Sequence, residues 1–463
     1  MKKHILEQSL IFFSVTKWVL LSSFIGVTIG FIITFFLNII HNAEQSRDLL
    51  PFHYYYLLPF ALMLSLYLVK KFAPNARGHG TEKVIEAVHK KDGKIEVAVI
   101  PIKLLATLIT LFAGGSAGKE GPGAQIGAGS ASFISELFKF SKNDRKKLVI
   151  CGISAGFASV FGTPISGAIF GVEVLIVGII MYDVLLPSFI AGFAAYTTAK
   201  ILGVNYTYFN LHFSQTIPFD ITLIFQVIIA GLFFGIISDF LVTAFKKSDY
   251  YIKRININIY LKAFLGGLFL VILSFWVGDR YFGLGLNTIS DVLYSDPSLS
   301  QDIPWYAFIL KTIFTSVTLS AGGSGGVITP IFYIGATSGH FLGTLFGENM
   351  ALFAALGFTS VLAGAANAPI AATIMAVELF GVEIAHYAAI SAVISFLITG
   401  HRSVFFSQIL KMNKSDMLSI EFGKDLENND IHLSTKSKEK IIKMKKILRN
   451  LRRDTNNEET KEK

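Results

Sequence analysis

The chain has 463 residues, of which 52% are hydrophobic and 16% charged, with a mean hydropathy of +0.56 and a net charge of +9. Soluble domains carry about 25% charged residues, so this composition excludes an ordinary soluble fold and points to an integral membrane protein. The basic excess is spread over loops between apolar segments rather than gathered on one face, which argues against a nucleic-acid partner.

Trp18 to Leu37 is the first long uncharged run. It is long enough to cross the hydrocarbon core, which takes ~20 residues. It lacks a small-residue cleavage pattern and ends in Phe35-Phe36-Leu37, so it reads as a first membrane helix rather than a signal peptide. Ile221 to Ser238 is a second such run. Basic clusters at Lys2–His4, Lys70–Lys83, Lys139–Lys147 and Lys246–Arg254 separate the apolar segments. The positive-inside tendency assigns these loops, and both termini, to the cytoplasmic side of a multi-pass cell-membrane protein. Cys151 is the one cysteine, so no intrachain disulfide framework exists. Neither a Cys/His cluster nor HExxH is present, and no metal or other cofactor is expected.

Two stretches repeat without gaps at a spacing of 208 residues. Lys103-Leu104-Leu105 leads into Gly114-Gly115-Ser116-Ala117-Gly118-Lys119-Glu120-Gly121-Pro122. Its counterpart runs from Lys311-Thr312-Ile313 into Gly322-Gly323-Ser324-Gly325-Gly326-Val327-Ile328-Thr329-Pro330. Ile126-Gly127-Ala128 recurs as Ile334-Gly335-Ala336, and PISGAIFGVE (Pro164 to Glu173) as PIAATIMAVE (Pro369 to Glu378). An ordered set of matches of this kind indicates a duplicated transport domain. We expect it over 1–410, with the first repeat at about 10–200 and the second at about 220–408.

Duplicated membrane domains place their substrate where the halves meet, between helices broken by Gly or Pro. Glycines let backbone approach a ligand closely. Unwound backbone survives at membrane depth only where it lines a cavity or is buried in protein. Free N–H groups at helix starts carry about half a positive charge and favour an anion. A bare ion in low dielectric costs tens of kcal/mol, and N–H groups replace lost water for an anion, not for a cation. The apolar runs also lack the carboxylate rings of a cation pathway.

Gly118-Lys119-Glu120-Gly121-Pro122, followed by Ala124-Gln125-Ile126-Gly127, resembles the GK/REGP signature of the CLC chloride channels and chloride/proton antiporters. Gly78-His79-Gly80-Thr81-Glu82 stands where the family reads GSGIP. Gly326-Val327-Ile328-Thr329-Pro330 stands where it reads GxFxP. Gly400 to Gln408 is similar to the segment ending in the family's pore tyrosine. The resemblance covers roughly residues 10–410. It implies an all-α CLC-type inverted-repeat bundle of tilted and broken helices, and a homodimer with one pore per subunit.

The resemblance assigns gating to Glu120, with chloride as the permeant ion; the alternative role is a fixed charge complementing a helix dipole, worth roughly 0.3–1 kcal/mol. Gly118, Lys119, Gly121, Val327 and Ile328 are the expected backbone cradle of the anion. His79 replaces the family serine; its imidazole either donates an N–H to the ion or faces a vestibule without touching it. Phe405 aligns with the pore tyrosine, and Phe406 is the competing alignment. Val174 occupies the position at which antiporters commonly carry a proton-transferring glutamate. Since valine carries no proton, it favours channel-like conduction of the voltage-gated chloride channel type over the chloride/proton antiporter alternative. Glu173, its neighbour, is a proton-pathway candidate, though Glu173 and its repeat mate Glu378 read first as bracing groups. Pro122 and the surrounding pattern favour the chloride branch over a fluoride-exporting relative.

The nucleotide-hydrolysing reading of Gly118-Lys119 is weak, because the P-loop needs Ser or Thr after the lysine and Glu120 stands there; we expect a transporter, not an enzyme. Residues 411–463 carry 14 Lys+Arg and 10 Asp+Glu. Within them, residues 435–453 place Ile441, Met444, Leu448 and Leu451 on one helical face, which suits either a helix on an anionic membrane surface or a solvated tail. The tail is too short for the paired CBS domains many relatives carry.

Overall fold

A computed structural model describes residues 2–206, 220–294, 303–429 and 432–434; the basic segment 435–453, read as either a surface helix or a solvated tail, lies outside them. The first half contains α1 (Lys2–Ser46), α2 (Leu58–Phe72), α3 (Thr81–Lys90), α4 (Val99–Phe112), α5 (Glu120–Leu137), α6 (Lys142–Phe161), α7 (Pro164–Glu173) and α8 (Tyr182–Ile201). The second contains α9 (Ile221–Arg254), α10 (Ile259–Val277), α11 (Leu286–Tyr294), α12 (Ala307–Ala321), α13 (Ile328–Phe346), α14 (Met350–Ala366), α15 (Pro369–Phe380) and α16 (Ala385–Ile398). The two sets correspond helix for helix. Five described helices are long and apolar enough to cross a membrane. Others, such as α4 and α12, at 14 and 15 residues, fall short of a full crossing and stop inside the bundle. The result is an all-α membrane fold of whole and broken helices. The first helix is longer than the apolar run predicts, because it continues at both ends through polar residues.

The halves are inverted. Helix α5 ends near the basic loop at Lys139–Lys147, whereas α13 ends at the opposite face, where Glu348 accepts a bond from Gln226 at the start of α9 (3.2 Å). Their N-termini face each other in the interior. A two-fold set of bonds ties the loops before them. The Ser116 amide donates to the Thr318 hydroxyl (3.2 Å) and the Ser324 amide to the Thr110 hydroxyl (3.0 Å). Ser116 Oγ meets Thr315 Oγ1 at 2.8 Å and Ser324 Oγ meets Thr107 Oγ1 at 3.3 Å.

The close crossing of α5 on α6 depends on small residues: a Cβ on Gly152 would lie 2.7 Å from the Gly127 carbonyl oxygen. Gly335 and Gly357 make the same approach between α13 and α14. In a lipid environment such close packing, rather than hydrophobic burial, holds helices together.

The duplicated PISGAIFGVE and PIAATIMAVE segments are α7 and α15, and each ends in a carboxylate that caps the start of the other. Glu173 accepts from the amides of Ile370 (3.0 Å) and Ala371 (2.8 Å). Glu378 accepts from those of Ile165 (2.9 Å) and Ser166 (2.8 Å). Helix starts leave N–H groups unpaired, and a charge-assisted bond to a carboxylate satisfies them strongly. After α7, a short strand β1 (Ile176–Val177) pairs in parallel with β2 (Ile409–Leu410). That pairing brings the chain after Gln408 back to the end of α7, over a small apolar cluster of Val177, Phe396, Leu410, Ile420 and Leu426.

Truncating either cap strands two amide donors, a cost of roughly 1–3 kcal/mol for each unsatisfied group. Glu173→Ala and Glu378→Ala should therefore each lower the melting temperature of the detergent-solubilised protein by several degrees. The corresponding Gln variants, which retain one acceptor, should lie between them and the wild type.

Candidate functional site: the meeting point of the two repeats

The glycine-rich loops before α5 and α13 join through a single antiparallel bridge between Gly118 and Gly326. The Gly118 amide donates to the Gly326 carbonyl at 2.7 Å, and the reverse bond is 2.6 Å. Two helices then start back to back, with Lys119 and Val327 as their N-caps. The two bridge glycines leave little room for a side chain: a Cβ on Gly326 would sit 2.7 Å from the Gly121 amide nitrogen.

Glu120 is the first residue of α5 and is 1% exposed. Its carboxylate does not stay with its own helix. It reaches to the start of α13, where Oε2 accepts from the Thr329 amide at 3.2 Å and from the Thr329 hydroxyl. A carboxylate thus holds donors at a buried helix start, the place where an anion is most favoured. Thr329 is a site residue that motif reading passed over, since the pattern GxFxP leaves its position free. Val327 and Ile328, 1% and 0% exposed, flank it on the same turn.

Gly78, Gly80 and α3 close the site from the basic face. Gly121 lies directly under the His79 carbonyl oxygen, close enough to exclude a side chain. The His79 ring is half-buried and packs edge-on against Phe245 of α9 at 5.7 Å. Its Nδ1 is buried with no hydrogen-bond partner, so a donor or acceptor stands free beside the loop. Phe405 is fully buried, edge-on to Phe170 of α7 at 6.5 Å. Phe406 is partly exposed, with the Lys246 ammonium 4.9 Å from its ring. The structure thus brings Gly118, Lys119, Glu120, Gly121, Val327 and Ile328 to one point. His79 adjoins it, whereas Phe405 packs on Phe170 of α7 and Phe406 lies beside Lys246 of α9.

Glu173 lies apart from this point, committed to the start of α15. Val174 is fully buried, and its carbonyl accepts from the Gln408 side chain at 2.9 Å. Gln408 also donates to the Ala366 carbonyl at 2.8 Å and accepts from Asn367 at 3.0 Å. It locks the ends of α7 and α14 to the segment carrying Phe405.

Two buried lysines complete the framework. Lys103 donates to the carbonyls of Ala76 (3.2 Å) and Gly78 (2.7 Å), and Lys311 to those of Tyr281 (3.1 Å) and Gly283 (2.8 Å). Each ammonium gathers the loop before a short helix, α3 or α11. The loop Gly78-His79-Gly80 therefore has a structural mate, Gly283-Leu284-Gly285, that the sequence comparison missed. All four glycines have positive φ, a conformation that L side chains rarely adopt.

The bridge generates a direct expectation. Gly326→Ala should fold and elute as the wild type does, yet lose roughly tenfold or more of its transport rate, because it moves the facing helix starts by about an ångström. Ion flux from liposomes, set beside gel filtration, measures both.

Residues 61–400 match a family model described as voltage gated chloride channel. The chain is 34% identical over 404 residues to a protein named chloride/fluoride channel protein from Pseudomonas syringae pv. tomato, covering 85% of this chain and 86% of that one. Among solved structures it is similar to a CLC-type fluoride/proton antiporter, at 31% identity and a TM-score of 0.80, over 86% of this chain and 99% of the other. A slow cyanobacterial chloride/proton antiporter, at 20% identity and a TM-score of 0.72 over 82% and 94% of the two chains, shares the fold. The chain belongs to the CLC family of anion-transport proteins.

Proposed function

We propose that this protein is a proton-coupled anion antiporter, with fluoride the first anion to test and chloride the second. One observation carries the reading: the Glu120 carboxylate holds the amide and hydroxyl of Thr329 at the start of the opposing repeat's helix. An entering anion and the carboxylate compete for the same donors. When the anion takes them, the carboxylate is freed, and a freed carboxylate in low dielectric takes a proton. Anion and proton then alternate at one place.

The expectation that Val174 selects channel-like conduction gives way here. One of the relatives at 30% identity or more is named as a fluoride/proton antiporter, which supports the coupled alternative over the channel reading. The preference for the chloride branch gives way as well, because both of those relatives carry fluoride in their names. Donors of the kind that Thr329 and the helix starts supply suit a small, strongly hydrated anion.

In this reading the protein works as a homodimer with one pore per subunit, in the cell membrane, with the basic loops in the cytoplasm. Exposed apolar side chains such as Ile165, Phe193, Ile370 and Leu397 on α7, α8, α15 and α16 support a membrane-embedded contact between copies.

Reconstitution in liposomes with ion-selective and pH electrodes is the test. An imposed fluoride gradient should drive protons uphill in the wild type. Glu120→Gln should keep anion flux but lose proton movement and the pH response of the rate. Anion flux with no proton movement in the wild type would return the protein to the channel class.

A further inference from the structure

We propose that Glu82 is a second carboxylate latch, occupying an anion-binding pair formed by the amide and hydroxyl of Ser407. The proposal rests on the anion-transport reading above. Glu82 is in the first turn of α3, at the end of Gly78-His79-Gly80-Thr81-Glu82. Its Oε1 accepts from the Ser407 amide at 3.0 Å and from the Ser407 hydroxyl at 2.5 Å, and Oε2 from the same amide at 3.2 Å. This is the chemistry of the meeting point over again. Glu120 and Thr329 make the same set of bonds, with a carboxylate from a first helical turn taking both donors of one hydroxyl residue.

The latch adjoins the site. Ser407 follows Phe405 and Phe406 in sequence. His79, three residues before Glu82, packs on Phe245, and the next residue of α9, Lys246, stands over the Phe406 ring. Glu82, Ser407, Phe406, Lys246 and His79 thus form one rim facing the basic side. On that rim the Ser407 donors are the counterpart of those at Thr329, and both are occupied by the protein's own carboxylate.

Among the described residues no ion pair holds the Glu82 carboxylate. Lys83, the adjacent residue on α3, is committed to Glu86 at 2.6 Å. Lys246 lies over the Phe406 ring rather than on the carboxylate. Glu427 reaches the rim through its amide, which donates to the Phe406 carbonyl at 3.2 Å. An anion arriving from the basic side meets the positive charge of Lys246, and then a donor pair that it occupies by displacing Glu82. Anion entry is therefore a competition at two successive points, Ser407 and then Thr329.

The test is the apparent KM for fluoride, and in parallel for chloride, of full-length protein in liposomes. Removing the competitor should lower KM about tenfold, the scale of one charge-assisted hydrogen bond. Glu82→Gln, which loses the charge and keeps only a weaker neutral acceptor, should do so, and so should Glu82→Asp, which keeps the charge but is one methylene too short to reach Ser407. Adding Ser407→Ala to Glu82→Gln should raise KM again, since the anion then loses the hydroxyl. An unchanged KM in Glu82→Gln overturns the latch. So does a shift in Glu82→Gln that is absent from Glu82→Asp, which would mark a general field effect. A double variant with the KM of Glu82→Gln overturns it as well. A wild type that carries neither anion would sink the transport reading, and the latch with it, whereas normal wild-type flux with unshifted variants sinks the latch alone.

Discussion

An anion inside a membrane protein needs donors that do not also bring a permanent, immovable countercharge. Here they come from helix starts. The Gly118–Gly326 bridge forces two chain segments, each from its own repeat, to begin helices at the same buried point. Broken backbone at this depth has its polar groups exposed to low dielectric, where each unsatisfied group costs several kcal/mol. The fold meets that cost in two ways. Some groups pair across the pseudo-two-fold, as at Ser116 and Ser324. Others, at Thr329, are taken by the Glu120 carboxylate.

The symmetry is close enough in the framework to make its breaks at the meeting point informative. Lys103 and Lys311 gather equivalent loops, and Glu173 and Glu378 cap each other's helices. At the meeting point, however, the mate of Glu120 is Ile328. One repeat supplies a carboxylate and the other an aliphatic side chain with a hydroxyl residue next to it. Two carboxylates facing each other here would repel in low dielectric; a single carboxylate facing the Thr329 donors is held by them instead. The same asymmetry gives His79 on one loop and Leu284 on its mate, so the approach from the basic face is the polar one.

Much of this was legible before the structure. Matches as long as PISGAIFGVE and PIAATIMAVE expose a duplication because both copies start on a proline and carry a carboxylate nine residues on, and the structure shows the reason for the carboxylate in the reciprocal caps. GKEGP marked the meeting point because glycine spacing and a lone glutamate are local features. Thr329, Gln408 and the Gly283-Leu284-Gly285 loop were not legible. Their roles arise from contacts between residues 209, 234 and 28 positions apart in the chain, and each is chemically unremarkable in its own window. Glu82 was visible only as a departure from a motif; its bond to Ser407, 325 residues away, belongs to tertiary structure alone. The choice between channel and antiporter rested on a single position, Val174, which the fold uses as a carbonyl acceptor for Gln408 as much as for its side chain.

If the Glu120 carboxylate and the transported anion hold the same amides in turn, anion binding must be linked to proton uptake. Isothermal titration of fluoride into the solubilised protein, repeated in buffers of different ionisation enthalpy, reads that linkage directly. Net proton uptake on binding in the wild type, and none in Glu120→Gln, is the predicted result. Equal uptake in both proteins, or none in either, would contradict the competition on which the account is built.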